Sequence, residues 1–83
     1  MSVATYDSRH HELRKLLRER RRRAELSQHE LSAKMNRYRS FVTAVETGQH
    51  RVTVIEFLDF AAALEFDPAA AIRRINAVAK QIP

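Results

Sequence analysis

The sequence predicts an all-α fold, a single domain of five helices. The 83 residues include one glycine and two prolines, and 45% of them are apolar, with few β-branched runs. Apolar residues recur at spacings of three and four, the period of a helix with one buried face. These features favour helices over a sheet. A chain of this length buries only roughly 60% of its unfolded surface, so its core should be thin.

The composition and residue patterns of the chain argue against several other classes of protein. It contains no cysteine, which excludes disulfides and thiolate zinc sites. Its start, MSVATYDSRHHE, has neither the apolar segment of a signal peptide nor the pattern of a transit peptide, and no apolar run reaches membrane-spanning length. We therefore expect a soluble, cytoplasmic protein with a disordered or loosely ordered segment at residues 1–7 and one domain over residues 8–83.

Positive charge is concentrated in the first part of the chain. From Arg9 to Arg51 there are twelve Lys or Arg against five acids, whereas from Val52 onwards there are three against four. This asymmetry indicates a polyanionic partner, more often nucleic acid than an anionic membrane. Charge alone does not separate such a surface from solvated helix faces. The run RERRRR at residues 18–23 wraps fully round a helix, so at most one or two of its arginines can face any one partner.

Helix starts and stops follow from capping patterns. The apolar spacing predicts helix 1 from Ser8 to about Ala24. The stretch SQHE, residues 27–30, has the form of a capping box and predicts the start of helix 2. This helix should end at Met35, because Asn36 tolerates the left-handed conformation.

The next two helices are predicted in the same way. Helix 3 should run from about Arg39 to Thr47 and end at Gly48, the only glycine, which is suited to a left-handed cap. Thr53 and Glu56 repeat the capping box and open helix 4. The residues expected on the buried face of helix 4 lie three and four apart and are Val54, Phe57, Leu58, Ala61 and Leu64.

Helix 5 has both a start signal and an apolar stripe. Asp67 followed by Pro68 is an N-cap with proline at the first helical position, which predicts a helix from Pro68 to about Lys80. Its apolar residues form a stripe longer than a thin core needs, so we expect it to be a homodimer interface. The residues of this stripe are Ile72, Ile75, Val78 and Ile82.

Helices 2 and 3 together have the sequence form of a helix-turn-helix, two short helices joined by a tight turn. The stretch LSQHELSAKMNRYRSFVTAVETGQHRVTVIEFLDFAAALEFDP, residues 26–68, resembles the Xre family of DNA-binding domains related to phage repressors. The resemblance rests on Leu-Ser-Gln-x-Glu-Leu, a four-residue turn, Ser-x-Val, Glu-x-Gly and a capped fourth helix. With helix 1 included it covers residues 13–78. It implies a five-helix, lambda-repressor-like fold.

The resemblance also implies roles for individual residues. Residues of the turn and of helix 3 would meet base edges in the major groove of double-stranded DNA: Tyr38, Arg39, Ser40, Thr43 and Ala44. Residues at the start of helix 2, in the turn and after helix 3 would contact backbone phosphates: Ser27, Gln28, Arg37, Thr47, Gln49, His50 and Arg51. Arg21 and Glu46 hold positions that in several relatives form a buried ion pair between helices 1 and 3.

Several assignments in the turn have alternatives. Asn36 replaces the usual turn glycine, and Arg37 takes a site that is often apolar, so it either points outward to phosphate or marks a differently packed turn. Arg39 can give guanine the bidentate pair of hydrogen bonds to O6 and N7, or contact phosphate, or be solvated. Tyr38 can reach a phosphate, stack on sugar or cover the turn. Ala44 is short and offers at best a methyl contact to thymine.

The implied function is a transcriptional regulator that binds an inverted-repeat operator as a homodimer. It would act by promoter occupancy, as a repressor, often of its own gene, or as an activator with a surface patch that touches RNA polymerase. Alternatives are an antitoxin paired with a toxin, a restriction-modification controller, and a protein-binding adaptor or antiactivator. We expect no enzyme, because no nucleophile has a base at a readable spacing. We expect no metal, because His10 and His11 are adjacent and no HExxH pair is present. We expect no cofactor, because the sequence has no glycine-rich loop that could hold phosphates.

Overall fold

A computed structural model describes residues 8–78 as five helices without a strand, as the sequence predicts. The segment 1–7 and Ile82 lie outside the described residues, so the predictions made for them are not addressed. The helices in chain order are α1 Ser8–Arg23, α2 Gln28–Lys34, α3 Phe41–Glu46, α4 Val54–Leu64 and α5 Pro68–Asn76. None of the described helices is long and apolar enough to cross a membrane.

Both predicted capping boxes are present and fix the starts of α2 and α4. The Ser27 hydroxyl accepts from the Glu30 backbone N–H at 3.0 Å, and the Glu30 carboxylate accepts from the Ser27 N–H at 2.7 Å. Thr53 and Glu56 exchange the same bonds at 3.1 and 2.9 Å. Each box satisfies two N–H groups that have no partner within the helix. These two helix starts are therefore set by residues three apart in the sequence.

The prediction that helix 3 begins at Arg39 is wrong. The helix begins at Phe41, and the Phe41 N–H donates to the Tyr38 carbonyl at 3.0 Å, which closes a turn over residues 38–41. Ser40 makes no side-chain cap bond. The predicted stops are confirmed, since Asn36 and Gly48 have positive φ angles of 58° and 85°. Arg39 consequently projects from the turn that precedes α3.

Helix α5 ends at Asn76, four residues earlier than predicted. Arg9 of α1 donates to the carbonyl oxygens of Asn76 and Val78, at 3.3 and 3.4 Å. Carbonyl groups at a helix end lack partners within the helix, and this side chain from α1 supplies one. Arg74 adds a second link, to Glu12 at 2.6 Å. The end of α5 is thus set by contacts with α1.

The core consists mainly of leucine and phenylalanine side chains, and each of the five helices contributes buried residues to it. Phe60 is fully buried and stacks on Phe41 with 5.8 Å between ring centroids. The predicted stripe of α4 is partly wrong, because Val54 is 76% and Leu58 44% exposed. Apolar residues line more than one face of α4, and the stacking of Phe60 on Phe41 selects the rotation that turns Leu58 outward.

Candidate nucleic-acid interface

A buried ion pair joins α1 to the end of α3. The Glu46 side chain is 1% exposed, and Arg21 donates to its two carboxylate oxygens at 2.7 and 3.1 Å. Burial alone would raise the pKa of Glu46, but the hydrogen bonds from Arg21 and Gln28 outweigh it and hold that pKa below its ordinary value. The contact that the resemblance implied between Arg21 and Glu46 is therefore present, and it fixes α3 against α1.

Gln28 connects this buried pair to the exposed side of α3. Its amide nitrogen donates to Glu46 at 3.0 Å, and its amide oxygen accepts from the Thr43 hydroxyl at 3.0 Å. The amide has two hydrogens, so one donor is left for another acceptor. The orientation of Thr43, a residue expected at base edges, is thus set from the buried carboxylate through one glutamine.

Ser32 fixes the angle between α2 and α3. It is fully buried, its hydroxyl donates to the Gln28 carbonyl at 3.0 Å, and it accepts from the Val42 N–H at 3.0 Å. No pattern in the sequence predicted a role for this serine. The available signal was a small hydroxyl residue directly after the buried Leu31, but its partner lies ten residues further along the chain.

Arg37 packs inward against the turn. Its guanidinium carbon lies 4.1 Å from the centre of the Phe41 ring, and it donates to Glu56 at 3.1 Å. Of the two alternatives for this residue, the geometry is that of a differently packed turn. A cation over an aromatic ring and beside a carboxylate is held in place by both.

His50 shares the same carboxylate. Its Nε2 atom lies 2.9 and 3.1 Å from the two Glu56 oxygens, and its ring meets the Phe41 ring edge-on at 5.4 Å. Burial would raise the pKa of Glu56, but the Thr53 N–H, His50 and Arg37 together lower it to about 2. Glu56 therefore ties the turn and the loop after α3 to the start of α4. Sequence analysis identified Glu56 only as a capping residue.

The turn and the first part of α3 present the residues expected at bases. Tyr38, Arg39 and Ser40 are exposed, and Thr43 and Ala44 are half-buried. The Tyr38 ring packs edge-on against Phe41 with 5.8 Å between centroids. Within residues 8–78, Arg39 has no ion pair. Its cationic group is therefore available to an external acceptor.

The loop after α3 is compact, and most of its side chains are exposed. The N–H groups of Gln49 and His50 both donate to the Ala44 carbonyl, at 2.9 and 3.1 Å. Thr47, Gln49 and Arg51 are exposed. Ser27, at the other edge of the surface, uses its hydroxyl oxygen and its N–H within the capping box. Exposure and internal bonding therefore coexist among the residues expected at the DNA backbone, since the exposed Thr47 donates its hydroxyl to the Thr43 carbonyl at 2.9 Å.

The predicted dimer stripe of α5 is divided between core and surface. Ile72 is 52% exposed, whereas Ile75 is half-buried and packs against the core. Val78 is half-buried. Ile72 borders an apolar groove of about 170 Å³ between α1, α4 and α5. The residues that line this groove are Leu13, Val52, Thr53, Val54, Phe57, Ile72 and Ile75.

The arrangement defines a class of protein: a five-helix domain whose α2 and α3 form a helix-turn-helix with an exposed, cationic turn. A family model described as "Helix-turn-helix domain" matches residues 12–73. The chain belongs to this family, and within it to the Xre group. A solved structure of an "XRE-family like protein from Pseudomonas syringae pv. tomato str. DC3000" is 38% identical, with a TM-score of 0.78 over 86% of this chain and 89% of that one. A search of curated proteins gave no match.

Proposed function

We propose that the protein is a sequence-specific transcriptional regulator that binds an inverted-repeat DNA operator as a homodimer in the cytoplasm, at the nucleoid. The observation that carries the proposal is the exposed turn Tyr38–Ser40, placed at the start of an α3 that Glu46 and Ser32 hold rigidly from behind. A reading surface has to be positioned closely, because base contacts depend on hydrogen-bond geometry.

Reading of bases is assigned to Arg39 and to the outward side of α3. Arg39 has the side chain that pairs best with guanine O6 and N7. The Thr43 hydroxyl already donates to Gln28, so it presents its oxygen and methyl group to the groove. Ser40 and Ala44 are small enough to allow close approach, and Ala44 offers a methyl group to thymine.

Anchoring on phosphates is assigned to a smaller set than the sequence implied. The proposed set lies at the two edges of the reading surface and consists of Gln28, Thr47, Gln49 and Arg51. Gln28 is kept because its amide has one hydrogen left for a phosphate, and Ser27 is left out because it is bonded within the capping box. Arg37 and His50 are left out because both are bonded to Glu56. Their part is to hold the turn and the loop that carry the other residues.

A second copy of the chain is the proposed occupant of the apolar groove beside α5. One domain offers only a few base contacts, so tight specific binding requires two copies of the domain. Val54 and Ile72, both exposed at this groove, would then be buried between protomers. In such a dimer the two α3 helices lie roughly 34 Å apart, one turn of DNA, and the operator has two half-sites at that separation.

The test is selection of DNA by the purified protein from a random duplex pool, with sedimentation at tens of micromolar. We expect an inverted repeat with a G·C pair in each half-site, and a dimer that Val54→Asp and Ile72→Asp each disrupt. Selection of a single unrepeated site by a monomer would overturn the dimer. Absence of salt-dependent DNA binding would overturn the DNA function and favour a protein-binding adaptor. An antitoxin or a restriction-modification controller would use the same DNA surface, so neighbouring genes would have to separate these.

A further inference from the structure

A second cationic surface lies on the outward face of α1. It is a shallow cleft of about 320 Å³. Its lining comprises four cations, one histidine and one acid, nearly all repeating at helical spacing along α1: His11, Arg14, Lys15, Arg18, Glu19 and Arg22. Residues at this spacing share one side of a helix. None of the roles assigned above uses this face.

The acids next to this cleft are already paired. Glu19 accepts from Arg74 of α5 at 3.0 Å, and this hydrogen bond is the main cause of the lowered pKa of Glu19. Glu46 is held by Arg21, and Arg18 of the cleft lies 3.6 Å from the same carboxylate. Along the described chain, no carboxylate lies within 4.0 Å of the cationic groups of Arg14, Lys15 or Arg22. These three cations therefore carry positive charge that no acid of the described chain neutralises at contact distance.

The cleft is continuous with the loop that follows α3. A Cβ atom placed on Gly48 would lie 3.5 Å from the guanidinium carbon of Arg14. Arg18 donates to the Glu46 carbonyl at 3.3 Å. Both arginines thus border the end of α3, next to Thr47 and Gln49, which are assigned to phosphates. A row of cations runs from this loop onto α1.

We infer that this face of α1 binds the sugar-phosphate backbone of duplex DNA flanking each half-site, so that each protomer contacts more DNA than its helix-turn-helix reaches. The inference rests on the proposed function. Guanidinium and ammonium groups bind phosphates without reading sequence. The cleft lining includes no Phe, Tyr or Trp on which a base could stack, which favours duplex backbone over single strands. Continuity with the phosphate loop favours DNA over an acidic protein segment.

The test is a triple substitution that removes three unpaired cations and keeps good helix formers, Arg14→Gln with Lys15→Gln and Arg22→Gln. Binding to a 40-base-pair duplex of random sequence, a probe length of about four helical turns, is titrated at several salt concentrations. Removing one phosphate interaction lowers the slope of log affinity against log salt by about 0.9, so the expected decrease is as much as about 2.7 per protomer. The control is Arg20→Gln on the opposite side of α1, where the guanidinium carbon lies 5.4 Å from the centre of the Phe66 ring, and this variant should keep the wild-type slope.

The possible outcomes distinguish a failure of this inference from a failure of the proposed function. If the wild type shows no salt-dependent binding to the duplex, both fail. If the wild type binds and the triple variant keeps its slope, only the inference fails. A kept slope together with abolished binding to poly-L-glutamate would assign the face to an acidic protein instead. Should the triple variant unfold in a thermal melt, Arg22→Gln alone replaces it, with an expected decrease in slope of about 0.9.

Discussion

Two glutamates, Glu46 and Glu56, each organise one half of the proposed DNA surface, and they do so with different partners. Glu46 is bonded to Arg21 and Gln28 and sets the reading side of α3. Glu56 is bonded to His50 and Arg37 and sets the turn before α3 and the loop after it. The first holds a helix, and the second holds the connections at both ends of that helix.

The contacts of the two glutamates also differ in their exposure to water. The side chains of Glu46 and Arg21 are 1% and 12% exposed, whereas those of Arg37 and His50 beside Glu56 are 33% and 34% exposed. A charge stranded in a buried pair costs more than one that water can reach. The position of α3 therefore depends on one buried, strong contact, whereas the positions of its flanking segments depend on several weaker ones.

The largest effect is expected from Glu46→Ala. It strands the Arg21 guanidinium and removes the acceptor of Gln28, so the free energy of unfolding should fall by on the order of 3 kcal/mol. Thermal melts measure this decrease. Asp59→Ala, which removes an exposed carboxylate on α4 that is in no ion pair within the described chain, serves as the control and should cost less than about 0.5 kcal/mol. Equal melting temperatures for the two variants would contradict the buried role.

Arg39→Ala tests the reading half. It should weaken binding to the selected operator by roughly 1 to 3 kcal/mol and relax preference at one base pair, with little change on random DNA. Arg51→Ala should instead weaken both DNAs alike and lower the salt slope by about 0.9 for each phosphate interaction that it removes in each subunit. Titrations of both variants on both DNAs distinguish these two roles. If Arg39→Ala weakens both equally with base preferences intact, Arg39 is an anchor rather than a reader.

Arg37→Ala tests the contacts of Glu56. Removing the guanidinium from the Phe41 ring and from Glu56 should lower the free energy of unfolding by about 1 kcal/mol, while the salt slope for DNA remains that of the wild type. Arg51→Ala is the matched comparison, with the opposite expected pattern in the slope. A reduced slope for Arg37→Ala with an unchanged melting temperature would place Arg37 on a phosphate after all.

Acid should weaken the contacts of Glu56 within a defined pH range. Folding lowers the pKa of Glu56 to about 2, so its charged form stabilises the folded chain above its unfolded pKa, roughly 4.3, and this contribution is lost as the pH falls towards the folded value. Glu56→Gln should be less stable than wild type at neutral pH and lose less stability across that window. Melting temperatures measured in half-unit steps check this. Parallel curves for the two proteins would mean that Glu56 does not contribute.

The helix starts and stops that depend on local chemistry could be predicted from the sequence. Ser27 and Glu30 lie three residues apart, and their bonds form whenever that segment is helical, whatever it packs against. The same holds for Asn36 and Gly48, because a left-handed stop depends on the residue itself. The resemblance to the Xre family added the pairing of Arg21 with Glu46, which spacing alone could not indicate.

The packing of separate helices determines which side chains face inward and which stay exposed on the proposed DNA surface. Arg37 reaches Glu56 across 19 residues, and nothing within either segment favours that partner over a phosphate. The rotation of α4 depends on Phe60 meeting Phe41, and the end of α5 depends on Arg9 of α1. Capping bonds depend on a few neighbouring backbone angles, whereas these contacts depend on how separate helices pack, which a short stretch of sequence does not determine.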